Sequence, residues 1–99
     1  MTKFDYDVII IWAWSAGYPA GMYSSRYSMK NLVIGWLPGG ALATSHKVEN
    51  YPGVLSASGK QIMDDFKAHA VDAGSDMLEE MVAEVNKHED HFHIKTATG

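Results

Sequence analysis

The sequence predicts an α/β domain: a βαβ unit with a partly parallel sheet, a second helix and a C-terminal β-hairpin. Three observations carry that expectation. Tyr6 to Trp12 contains the unbroken β-branched run Val8-Ile9-Ile10-Ile11, which is too short for a helix and apolar enough to be buried on both faces of a parallel sheet. A stretch at helical spacing follows it, then a second short apolar run, Leu32-Val33-Ile34. Towards the end, Met81 to Asn86 and His91 to Thr96 are separated by the polar Lys87-His88-Glu89-Asp90, the pattern of a hairpin.

The elements follow in order. Between the two apolar runs, Ala16, Ala20, Tyr23 and Tyr27 fall at i, i+4, i+7 and i+11 and predict one face of a helix. The small residues at its start would let it lie close to a sheet. A crossover of this length between two buried strands implies a right-handed βαβ unit. Residues 36–58, with Pro38, Gly39-Gly40, Pro52-Gly53 and Ser56-Ala57-Ser58, read as irregular, and long loops of this kind are usually functional or disordered. Gly59 to Ala73 predicts the second helix, capped by Ser58 and closed by Gly74, with Ile62, Met63, Phe66, Ala70 and Ala73 on one face. Met77-Leu78 suggests a further strand. In the last strand, Phe92, Ile94 and Thr96 alternate with His91, His93 and Lys95.

Composition narrows the function. Ninety-nine residues fit one domain. The net charge of -4 argues against nucleic acid, which selects basic faces. The chain has no cysteine, which excludes a disulfide framework and any dithiol chemistry carried by these residues. Acids precede the first apolar run, where a signal peptide would carry basic residues, and that run is too short to span a bilayer. A cytoplasmic protein without membrane contact is the default expectation.

Two segments resemble a known family. "YDVIIIWAWSAGYPAGMYSSRYSMKNLVIG" looks like the opening of low-molecular-weight thioredoxin reductases, normally a strand, a G-x-G-x-x-G turn, an Ala-rich helix and a second strand ending in an acid. "LPGGALATSHKVENYPG" is similar to the family's P-G-G-Q-L…E-N-Y-P-G flavin loop and is the more specific of the two. The resemblance covers nearly all of the chain. It implies a Rossmann-like, partial FAD-binding domain over 1–99, with the NAD(P)H domain and its C-x-x-C absent. It also implies an unfinished sheet edge. The cofactor-facing positions it implies are Trp12, Trp14, Ser15, Ala16 and Gly17 in the first segment, Gly35 after the second strand, and Gly39, Gly40, Ala41, Leu42 and Asn50 in the loop.

Several of those positions depart from the family pattern. The first fingerprint glycine permits the tight strand-to-helix turn, the second lets backbone N–H groups approach a pyrophosphate, and the third lets helix and strand pack closely. Here the first two are Trp12 and Trp14, and Gly17 alone is kept. Gly35, followed by Trp36, stands where the family has a ribose-binding Glu, and Ala41 stands for its Gln. Pro19 alters the helix start, so the helix is expected to begin later, with Pro19 at its first position. These changes all map to the FAD groove or its rim, which points to redesign by engineering or selection, including design of a new scaffold.

FAD binding is therefore expected to be lost or weakened, with the indoles filling the groove. The rival readings are a residual flavin module, a homodimer through an aromatic surface that Tyr18, Tyr23 and Tyr27 extend, and a site for a flat aromatic ligand on Trp12, Trp14 and Trp36. No catalytic residue is assigned: Asp64-Asp65 and Glu79-Glu80 are sequence neighbours that do not face each other. His88, His91 and His93 read as a solvated strand face and not as a metal site.

Overall fold

The computed structural model describes residues 5–13, 15–35 and 47–98. Strand β1 (Val8–Ile11), helix α1 (Gly17–Arg26) and strand β2 (Asn31–Ile34) form the expected βαβ unit. Helix α2 (Gly59–Ala73), strand β3 (Asp76–Leu78) and the hairpin strands β4 (Val82–Lys87) and β5 (Phe92–Thr96) complete it. The sheet order is β1-β2-β3, all parallel, and β4-β5 form a separate antiparallel pair. Among the described residues no helix is long and apolar enough to cross a membrane.

Register explains how the sheet divides its side chains. Ile10 pairs with Val33, and Val33 with Met77. All three contribute to the core under α1 and α2, together with Tyr18, Ile62, Met63 and Ala70. Alternation along a strand sends the flanking residues to the other face, and Ile9, Ile11, Leu32, Ile34 and Leu78 there line an open cleft of about 1060 Å³ shared with the hairpin. Burying Ile62 and Met63, each 3% exposed, contributes roughly 1.5–3 kcal/mol apiece.

Helix α2 runs over the expected span. Ser58 Oγ accepts from the Gln61 N–H at 3.1 Å, and the Gly74 N–H closes the other end on the Ala70 and Val71 carbonyls. Phe66 and Ala73 are half-buried beside its buried face. Residues 47–58, expected to be irregular, hold two antiparallel bridges, Val48 with Ala57 and Tyr51 with Val54, that fold the segment back on itself ahead of α2. The Tyr51 ring lies 5.7 Å from that of Phe66 and ties the segment to the helix.

Helix α1 differs from expectation in two ways. It begins at Gly17, so Pro19 is its third residue rather than its first. The proline is tolerated because no N–H of the first turn has a partner within the helix. Its buried side is Gly17, Tyr18 and Gly21, whereas Ala16, Ala20, Tyr23 and Tyr27 face solvent. The aromatic periodicity marked a real helical face, but the glycine face is the one that approaches the sheet. A Cβ on Gly21 would lie 2.9 Å from Val33 Cγ2 and 2.7 Å from Ser75 Oγ. Tyr18 is 1% exposed and so cannot extend a surface patch.

Candidate functional site

The β1–α1 turn is built around two close approaches. Trp12 ends the strand, with its N–H donating to the Ile34 carbonyl, and then turns with φ 92°. Left-handed backbone of this kind favours glycine and strains a residue that carries a Cβ. The chain next passes so close to α1 that a Cβ on Gly17 would fall on the Trp12 carbonyl oxygen. On the other side, Gly35 leaves room for Ala13: a Cβ there would lie 2.6 Å from the Ala13 nitrogen. The structure thus brings Trp12, Gly17 and Gly35 together around one turn. Both the left-handed turn and the tight helix–strand packing are present, with tryptophan at the position that the turn strains.

The remaining candidate positions divide. Ser15 and Ala16 are exposed at the start of α1, and Ala16 is its N-cap without a side-chain hydrogen bond. The Ala16 carbonyl accepts from Ala20 at 3.0 Å. Asn50 is exposed in the 47–58 segment. Trp14, Trp36, Gly39, Gly40, Ala41 and Leu42 lie outside the described residues.

A cavity of about 270 Å³ sits at the ends of β1 and β2. Trp12, Ile34 and Gly35 line it from the sheet, and Glu80, Val82 and Glu84 from the approach to the hairpin. Trp12 is 42% exposed. Glu80 accepts from Thr98 Oγ1, and Glu84 Oε2 accepts from Asn86 Nδ2 at 3.3 Å, both neutral donors. Sequence reasoning missed this pair. The two glutamates are brought to the βαβ unit by the hairpin's placement, for which no local pattern exists.

Among the described residues, this end of the sheet offers a diphosphate little positive charge. An anion favours the N–H groups at a helix N-terminus, but Pro19 has no N–H to offer in the first turn of α1. Among the described residues no Lys, Arg or His lines the cavity, and two carboxylates do. Gly35 supplies no carboxylate for a ribose hydroxyl, and any side chain there would have to displace Ala13.

The other titratable features are structural. Burial first, then the negative charges of Glu79 and Asp64, raise the Tyr18 hydroxyl above its ordinary pKa. Tyr6, whose hydroxyl donates to Asp76 at 2.9 Å, is raised by desolvation and then by that carboxylate. The His88 and His91 rings stack at 4.7 Å, and among the described residues no three His, Asp or Glu side chains are grouped to hold a metal ion.

No family model matches the chain. It is 38% identical over 97 residues to the thioredoxin reductase of Treponema pallidum, covering 96% of this chain and 32% of that protein. Its fold matches the crystal structure of Lactococcus lactis thioredoxin reductase with a TM-score of 0.90 at 30% identity, over 96% of this chain and 32% of the other. The Gloeobacter violaceus thioredoxin reductase structure matches with a TM-score of 0.91 at 31% identity, over 98% and 31%. The chain therefore spans about a third of the length of the relatives it matches. Over nearly all of its residues, with the strand–turn–helix opening in place, the chain is similar in sequence and in fold to part of the thioredoxin reductases.

Proposed function

We propose that this segment is a flavin-domain scaffold of thioredoxin-reductase type in which the diphosphate end has been given up, so that FAD binding is lost or weakened. The observation that carries the reading is Trp12, a bulky residue in a left-handed turn, at the mouth of a cavity with two carboxylates and, among the described residues, no cation. These residues contain no cysteine, so the dithiol step of the family is not theirs to perform. The core under α1 and α2 is closed by the chain's own side chains, Tyr18, Val33, Ile62, Met63 and Ala70 among them, which supports a fold that persists without ligand.

Titration of the 99-residue chain with FAD, followed by flavin and tryptophan fluorescence, tests the reading. No saturation below about 1 mM is expected, an affinity weaker than about -4 kcal/mol. The double variant Trp12→Gly/Trp14→Gly restores the glycines that admit a diphosphate, and it should gain at least about tenfold. Micromolar FAD binding by the unaltered chain would overturn the proposal.

A second reading is self-association through an aromatic surface, favoured by the exposure of Tyr23 and Tyr27 at 57% and 76% on the outer face of α1. Sedimentation velocity should then show a dimer that dissociates in Tyr23→Ser/Tyr27→Ser. A monomer at all concentrations removes this reading.

A further inference from the structure

The cavity at the ends of β1 and β2 has a chemistry that differs from that of a nucleotide site. Trp12 forms one wall, the adjoining walls are Ile11, Ile34 and Val82, and Glu80 and Glu84 bring two carboxylates. Both carboxylates have neutral hydrogen-bond partners, Thr98 and Asn86. Among the described residues the acids paired with lysine are others, Glu49, Asp64 and Glu79. The chain as a whole is at -4, so the cavity lies in a field of the same sign as its own charge.

We propose that this cavity binds a small, flat organic cation: a single fused ring system bearing a quaternary or protonated nitrogen. The inference rests on the reading that this end of the sheet no longer seats a diphosphate, and it names what the altered site accepts. Tryptophan is the best aromatic partner for a cation, and carboxylates beside it select the charge. The aliphatic walls match an apolar ring body. The volume, about 270 Å³, is near the lower end for ligand pockets, which admits one ring system and not a dinucleotide. A hard metal ion is a poor match, because it would need six or more oxygens, and no group of three ligating side chains is present among the described residues.

The test uses the whole chain and N-methylquinolinium, with quinoline as the neutral counterpart and quinoline-4-carboxylate as the anion, at pH 7.5 and low salt. Tryptophan quenching should saturate for the cation with a Kd on the order of 0.1 mM. Quinoline should bind about fivefold more weakly, as two surface-strength ion contacts imply, and the anion more weakly still. Glu80→Gln/Glu84→Gln should remove the preference and leave quinoline binding unchanged, since each glutamine keeps a carbonyl acceptor for Thr98 or Asn86. Far-UV circular dichroism of that variant should match the unaltered chain. Trp12→Leu should weaken the cation more than quinoline.

Equal affinity for cation and neutral compound overturns the proposal. So does a preference that survives in the double glutamine variant, or no saturation by any of the three compounds up to about 10 mM. The flavin titration reports separately on the diphosphate reading, so either can fail without the other.

Discussion

Replacing Trp12 by glycine and, separately, by alanine isolates the backbone of the β1–α1 turn. Both variants delete the same indole, so its burial and contacts cancel in the comparison. What differs is the cost of holding φ at 92°. An L-residue in left-handed backbone costs about 1–2 kcal/mol, and glycine escapes that cost. Glycine gives back roughly 0.5–1 kcal/mol through its greater freedom in the unfolded chain. The net expectation is that Trp12→Gly is more stable than Trp12→Ala by about 1 kcal/mol. At an ordinary helix or strand position the order would be reversed. For a domain of this size that difference corresponds to roughly 4–8 °C in melting temperature. Thermal melts of both variants by far-UV circular dichroism, with urea titrations to check that the m-values agree, provide the measurement. An alanine variant that melts at or above the glycine variant would refute the left-handed turn, and with it the claim that tryptophan occupies a glycine position under strain.

Three further outcomes follow from the same geometry. Gly17→Ala should lose about 3 kcal/mol, because its new methyl meets the Trp12 carbonyl, a backbone atom that cannot swing aside; a loss under 0.5 kcal/mol in urea titration would show that the turn relaxes freely. Ser58→Ala should cost about 1 kcal/mol by removing the acceptor for the Gln61 N–H, with the change read from the same titration and no shift in m-value. Tyr18 is an acid raised by burial and by the charges of Glu79 and Asp64, so its unfolded form ionises first as pH rises. The stability tied to its neutral hydroxyl is therefore complete below pH 10 and is lost progressively as pH climbs through the higher folded value. Tyr18→Phe should flatten the alkaline limb of stability against pH, and an unchanged limb would count against it.

Much of the fold was legible in the sequence because each element carries a local cause. The Val8–Ile11 run is β-branched and apolar throughout, and Ser58 and Gly74 bracket α2 at the residues where the helix starts and stops. Helix α1 shows where local pattern misleads. Tyr23 and Tyr27 satisfy helical spacing as well as any core face, yet Gly17 and Gly21 are the inward residues, because close packing against β2 rewards the absence of a side chain. Periodicity measures which residues share a face and not which face meets the sheet. The fingerprint positions were legible for the same reason that α2 was: Gly17 and Trp12 are determined by a turn a few residues long. Glu80 and Glu84 were not, since their approach to Trp12 depends on where the hairpin comes to rest across the sheet's open face.

The β4–β5 pair shares no ladder with β1–β3. Among the described residues no strand hydrogen bond couples the two sheets, so the opening free energy of one need not follow that of the other. An isolated two-stranded ribbon is marginal in water, which places it among the regions that open first. The wall of the cleft that carries Val85 and Ile94 therefore meets the parallel strands through side chains and not through a shared ladder.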